Sequence, residues 1–246
     1  QLLRDNFADA FSDSSLNSLS DFDFTMKNIA KQKADIFGET PDPFNWYYYS
    51  TIVMGIMFNI ITGIGVVADI EADVSKAAMR ISLSSSKKSV LLINMFFAKF
   101  VICYLISLFE ISFANLVFKI PIGNRILQLL LFAAVGNLFT LSIGMLAGLF
   151  IKGSVSAKEN KANALLMTSV FLSGEMVNTL PALFQEKAPW INEINPASIL
   201  NFAFYKLVYY ENLTGFYINI MKIVLITIIC LIIAIIKMRR QKYASV

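Results

Sequence analysis

Long apolar runs alternate with short polar segments along this chain. A helix needs roughly 20 apolar residues to cross the hydrocarbon core of a bilayer. Five stretches reach or approach that length: 46–68, 89–118, 126–151, 162–180 and 216–236. The first opens on Trp46, Tyr47, Tyr48 and Tyr49, which read as an interfacial aromatic belt. Pro181 stops the fourth, and a basic run from Lys237 to Lys242 closes the fifth. The pattern predicts an all-α, polytopic helical membrane protein with five transmembrane helices in this chain. Residues 46–246 form its membrane domain, with a cytoplasmic loop at 69–88.

Two polar regions carry structure of their own. In 1–45, Ser20 and Asp23 fit a capping box, and Phe22, Met26, Ile29 and Ile36 follow at helical spacing. Gly38 and Pro41 mark the stop. The spacing predicts a short amphipathic helix over 21–37, an arm that packs on the membrane domain or meets a substrate or partner. The stretch 181–212 is broken by Pro181, Pro189 and Pro196, so it is too interrupted to span. It reads as short helices in the outer leaflet or a re-entrant pair. Irregular backbone at that depth survives only when buried in protein or lining water.

Charge sets the orientation. One set of segments carries Lys76, Arg80, Lys87 and Lys88, then Lys152, Lys158 and Lys161, then Lys237, Arg239, Arg240 and Lys242. The alternate segments carry only Lys119 and Arg125, then Lys187 and Lys206. By the positive-inside rule the richer set is cytoplasmic, which places 1–45 outside. The chain opens without a signal peptide, so an outer segment 1–45 predicts one further span before Gln1. The complete subunit would then have six spans.

Composition agrees with a membrane protein and narrows the chemistry. Hydrophobic residues make up 57% of the chain and charged residues 15%. Soluble domains sit near half apolar and about a quarter charged. The chain has no His, which removes the commonest metal ligand and general base. Cys103 and Cys230 both lie in apolar runs, so no disulfide framework or zinc cluster is expected. There is no phosphate-binding P-loop and no nucleophile elbow. The Ser-Lys run at 82–88 sits in a loop with no pocket to desolvate a lysine. No catalytic residue, bound cofactor or metal is expected on this chain, and no nucleic acid.

Ionisable residues inside spans are candidate functional residues. Lys99 and Glu110 stand eleven residues apart in the second run, about three helical turns and roughly 16 Å along one face. Lys99 is near the cytoplasmic end and can snorkel. Glu110 lies deeper and suits either a structural hydrogen bond or a wet pathway. Glu175 falls near the outer end of the fourth run, at a vestibule or a solvated helix end. Gly144 and Gly148 form a G-x-x-x-G, which brings helices close within the chain or across a dimer. Asn212-Leu213-Thr214 fits a glycosylation acceptor, a pattern frequent by chance.

The stretch 69–100 resembles the loop between the second and third spans of type-2 ABC-transporter permeases. Glu71, Arg80-Ile81, Ser84-Ser85 and Lys99 hold places comparable to that family's acidic residue, basic-apolar pair, Ser-containing element and lysine of the next span. The family's proline in this element and its glycine after the acidic residue are absent. Downstream, Ser173-Gly174, Leu180-Pro181 and Asn195-Pro196 are similar to the family's pattern after its fifth span. The two matches cover about two thirds of the chain, in order.

The resemblance implies the membrane subunit of a bacterial ABC exporter in the cytoplasmic membrane, with a span before Gln1. Glu71, Lys76, Arg80, Ser84, Ser85, Lys87 and Lys88 would form a coupling helix and its turn, seated in a groove of a separate ATPase subunit. Two copies of that ATPase would carry ATP and Mg, and a second permease, identical or different, would complete a dimer. Glu110 and Glu175 are then candidates for the translocation pathway, and Pro181, Asn195 and Pro196 for an outer gate. Apolar span faces suit a hydrophobic drug, lipid or peptide. The alternative is a non-transporting membrane protein, such as an immunity or assembly factor, whose basic loop rests on anionic lipid headgroups.

Overall fold

The computed structural model of the chain describes residues 43–70, 88–118, 125–177, 180–210 and 212–240. Among them are eight helices and no strand: α1 (Pro43–Ala68), α2 (Lys88–Phe118), α3 (Ile126–Phe150), α4 (Val155–Leu172), α5 (Leu180–Lys187), α6 (Pro189–Ile194), α7 (Pro196–Tyr209) and α8 (Thr214–Arg240). The helix expected over 21–37 lies outside the described residues.

Among the described residues four helices are long and apolar enough to cross a membrane: α1 over Tyr47–Ala68, α2 over Val90–Val117, α3 over Ile126–Phe150 and α8 over Thr214–Met238. The expected span at 162–180 is corrected. Its helix starts earlier, at Val155, where the Ser154 side chain caps Ala157 N–H. It ends at Leu172, and its first half carries Lys158, Glu159 and Lys161. Ser173 Oγ bonds back to Val170 O at 2.7 Å, and Gly174 takes a positive φ of 82°, so the backbone turns away well before Pro181.

α1 and α3 form the centre. Buried positions on α1 recur as Ile52, Val53, Ile56, Met57, Ile60, Ile64 and Val67, one helical stripe. α3 is buried on most sides. The two helices run parallel: Gly136 faces Ile56, Gly144 faces Ile60 and Gly63, and Gly148 faces Ile64 and Val67. In lipid there is no hydrophobic drive between helices, so close backbone contact of this kind supplies the attraction. α2 and α8 each bury one stripe and expose the rest, as Leu116 of α2 at 78% and Met221 of α8 at 67% show.

α2 runs antiparallel to α1, with Glu110 beside Gly55 and Lys99 beside Gly65. α8 runs parallel to α3: Lys237 Nζ stands 3.3 Å from the centre of the Phe150 ring, and Arg125 reaches the chain just before α8. Residues 151–213 therefore travel back through the bundle once, although no single apolar helix does so. α4 begins beside the end of α3, where the Lys158 ammonium donates to Gly148 O at 2.8 Å. At 1.5 Å per residue its 18 residues cover about 27 Å. α7 continues in the same direction. It starts at Asn195, alongside Ser169 within the last turns of α4, and Tyr209 at its other end packs on Tyr49 near the start of α1.

The broken stretch forms three short helices, as its prolines suggest. Pro189 and Pro196 open α6 and α7, and the Asn195 side chain caps Ala197 N–H at 3.1 Å. Leu200 lies against Gly136, the eleventh residue of α3. About 15 Å of α3 therefore separates that level from the start of the helix. Thus α7 begins deep in the bundle and exits at its end, completing the crossing that α4 begins, so the re-entrant reading is corrected to a broken crossing. The Asn212 side chain accepts from Thr214 N–H at 2.9 Å and caps α8.

The belt reading is corrected at one position. Tyr47 and Tyr48 are exposed, but Tyr49 is 1% exposed and packs on Phe204, Tyr205 and Tyr209 at centroid distances of 5.5, 6.0 and 5.8 Å. The side chain of Trp46 lies outside the described residues.

Arg125 ties the start of α3 to the end of α7. Its guanidinium donates to Leu207 O at 2.7 Å and Tyr210 O at 2.5 Å. Charge-assisted hydrogen bonds are worth about 1.5–3 kcal/mol each. Arg125→Ala is expected to cost about 2–3 kcal/mol, read as a lower thermal midpoint of the purified protein.

Candidate functional site

A line of polar and small residues runs along the contact between α1 and α2. On α1 it comprises Gly55, Asn59, Thr62, Gly65 and Asp69; on α2, Glu110, Ser107, Cys103 and Lys99. Steps of three and four residues put each set on one face. Lys99 Nζ pairs with Asp69 at 2.7 Å. The Thr62 hydroxyl lies beside the Cys103 thiol. Asn137 of α3 joins next: its Oδ1 accepts from Asn59 Nδ2 at 2.6 Å, and its Nδ2 donates to Ser107 Oγ at 2.9 Å and Ala133 O at 2.8 Å. Farthest along, the Glu110 carboxylate lies in the space that Gly55 leaves by having no side chain. It is half-buried and makes no hydrogen bond or ion pair among the described residues. From Gly55 to Asp69 the seam covers fourteen residue steps, about 21 Å.

A second polar cluster joins α4 to α7. Ser169 Oγ donates to Asn195 Oδ1, and Asn195 Nδ2 returns to Ser169 O at 2.8 Å. Glu175, in the bend after α4 and outside the four spans, is 6% exposed. Its Oε1 accepts from Ser173 Oγ at 3.3 Å and Asn201 Nδ2 at 3.2 Å. Pro181 packs on Gly174, and Asn192 Nδ2 donates to Pro181 O at 2.9 Å.

The helix ends also sort by charge. Asp69, Lys99, Phe150, Lys158 and Lys237 all fall at one end of the bundle, so the basic segments expected on one side do share an end. The segment 69–88 joins α1 to α2 at that end.

A family model described as ABC-2 family transporter protein matches residues 6–236. The chain belongs to that family. No curated protein and no solved structure compared with it gives a match. As an ABC-2 permease it is the membrane component of an ABC transporter and a multi-pass membrane protein, without ATPase activity of its own. Permeases of this family generally pair with an ABC ATPase.

The permease separates its candidate residues into groups. Glu71, Lys76, Arg80, Ser84, Ser85 and Lys87 lie outside the described residues. Lys88 opens α2, with its side chain likewise outside them. Glu110 and Glu175 sit in different clusters, the first between α1 and α2 and the second between α4 and α7. Glu175 is neither at a vestibule nor at a solvated helix end; it is buried. Pro181, Asn195 and Pro196 gather around that second cluster. Gly144 and Gly148 are taken up by α1 of the same chain. Lys99 meets Asp69 at the end of α1. Sequence reasoning missed Asn59, Ser107, Asn137 and Asn201. Their one signal was uncharged polar side chains at helical spacing inside apolar runs.

Proposed function

We propose that this permease is the membrane subunit of an ATP-driven exporter, working as a dimer of permeases with two ATPases that bind ATP and Mg. The basic end of the bundle faces the cytoplasm. The segment 69–88 seats in a groove of the ATPase through Glu71, Lys76, Arg80, Ser84, Ser85, Lys87 and Lys88. ATP-driven closure pushes there and rocks the spans. Glu110 lines the pathway, Glu175 joins it when the outer side opens, and Pro181, Asn195 and Pro196 belong to the outer gate. The substrate is a hydrophobic drug, lipid or peptide.

One observation carries the coupling. The Lys99–Asp69 pair clamps the end of α1, where 69–88 leaves, to α2 eleven residues past its first residue, Lys88. A partly exposed pair contributes little stability, about 0–1 kcal/mol, so positioning is its use. A push on the segment then moves both helices, and the α1–α2 seam carries it past Asn137 to Glu110. Hydrogen bonds and small residues can exchange partners along such a seam more readily than interlocked apolar side chains can.

Co-purification from the native host tests this, with the permease solubilised gently and its stoichiometric partners identified by mass spectrometry. An ATPase is expected. Arg80→Ala is expected to lower permease-coupled ATP hydrolysis about tenfold. That matches loss of one charge-assisted hydrogen bond of about 1.5 kcal/mol. Unchanged coupling in a folded variant removes Arg80 from the contact. No ATPase in any detergent favours a protein that binds another membrane partner.

A further inference from the structure

We propose that Glu175 is a proton-binding site, a neutral carboxylic acid that latches α7 to the end of α4. The hydrogen-bond pattern is that of an acid. An ionised carboxylate shares its charge over two equivalent oxygens, and both need donors when buried. Here Asn201 Nδ2 donates to Oε1 at 3.2 Å, and Ser173 Oγ, whose one proton is shared with Val170 O, stands 3.3 Å from the same oxygen. Oε2 is buried and has no partner among the described residues. A protonated carboxyl divides its roles in this way: one oxygen accepts as a carbonyl and the other carries the proton.

Acceptors for that proton lie close by. Asn201 Oδ1 and Ser198 Oγ are buried without partners. Both belong to the α7 face that also carries Tyr205, at steps of three and four residues. The Asn201 amide already touches Glu175 through its nitrogen, so its oxygen is within one amide width. A hydroxyl on Oε2 supplies the donor that this cluster lacks.

The surroundings offer no competing charge among the described residues. From α7, Glu175 is faced by Tyr205, with Tyr49 of α1 and Tyr209 around that ring. α4 presents Ser173, and Pro181 of α5 covers the neighbouring Gly174. Among the described residues no Lys or Arg pairs with the carboxyl. Burying a carboxyl with no cation beside it among the described residues favours its uncharged form. Loss of the proton to water at the outer side leaves a bare charge in the cluster, and hydrating it requires α7 to part from α4. This consequence rests on the outer-gate reading; the proton site itself does not.

Infrared spectroscopy of the permease in lipid nanodiscs tests the site directly, comparing wild type with Glu175→Gln and Glu110→Gln. Near pH 7 a protonated-carboxyl C=O band is expected that Glu175→Gln abolishes, Glu110→Gln retains and Asn201→Leu shifts. The band is expected to persist above the ordinary carboxyl range and to fade as the pH is raised further. A spectrum unchanged by Glu175→Gln overturns the proposal. A thermal-midpoint series gives a second readout. A carboxyl that is neutral when folded and ionised when unfolded takes up a proton on folding, so its stabilisation falls as pH rises above the ordinary carboxyl range. Glu175→Gln, whose amide keeps a donor, is expected to flatten that slope, and an unaltered slope counts against the latch. If the band behaves as expected while Glu175→Gln exports like wild type, the proton site stands and the gate reading falls.

Discussion

Gly144→Leu is expected to leave no folded permease. A methyl at Gly144 would run into the Ile60 carbonyl oxygen and stand 2.9 Å from the Gly63 Cα. Both obstacles are backbone, so no rotamer change relieves them. α1 and α3 would have to separate, and every other long helix rests on that pair. Even Gly144→Ala is expected to cost about 1–3 kcal/mol through overpacking. The measurement uses the protein's own thiols. Cys103 and Cys230 are free and buried, so a thiol-reactive dye reports unfolding in detergent. Gly215→Ala is the control, because its new methyl meets only the flexible Lys206 side chain at 3.1 Å. A Gly144→Leu protein that melts like wild type would show that the α1–α3 contact is not the centre of the fold.

Asn137→Leu is the second large effect. Leu keeps the branching and the number of side-chain heavy atoms, so the loss is mainly polar. Asn137 is fully buried and joins three helices through Asn59, Ser107 and Ala133 O. Its removal leaves Asn59 and Ser107 without their partner in an apolar surrounding, where stranded polar groups cost about 1–3 kcal/mol. Interhelical hydrogen bonds in membranes average nearer 0.6 kcal/mol, because the unfolded helices also find partners. The expected loss is therefore about 1–2 kcal/mol, with a sharper loss of transport, since the seam between the basic end and Glu110 is cut. A double-mutant cycle with Ser107→Ala separates the direct bond from the rest. Additive effects would mean that the two residues do not act as one unit.

Both predictions concern residues that the sequence presents unequally. Gly144 was visible, because G-x-x-x-G in an apolar run names a packing face. Its partner was not: nothing in the spacing selects Gly63 of α1 over a second copy of the chain. Asn137 was invisible as a site. One amide in an apolar run looks the same whether it faces lipid, a pathway or two other helices. The fourth run was misread for a related reason. Its average hydropathy is local and one-dimensional, whereas the helix end at Leu172 depends on Ser173 bonding back to the backbone and on Pro181 folding over Gly174.

By itself the sequence determined that this is a helical membrane protein, where its four long spans lie to within a few residues, which segments share the basic end, and that short proline-opened helices precede the last span. These follow from the bilayer, which forces long apolar helices and sorts charge by side without reference to partners. Only the tertiary structure decided which helices are central, that α4 and α7 together make the return path, that Tyr49 turns inward, and that Glu110 and Glu175 belong to separate clusters. Lipid is as apolar as a leucine, so burial alone cannot rank one helix face against another. That choice falls to close backbone contacts and hydrogen bonds between residues far apart in the chain.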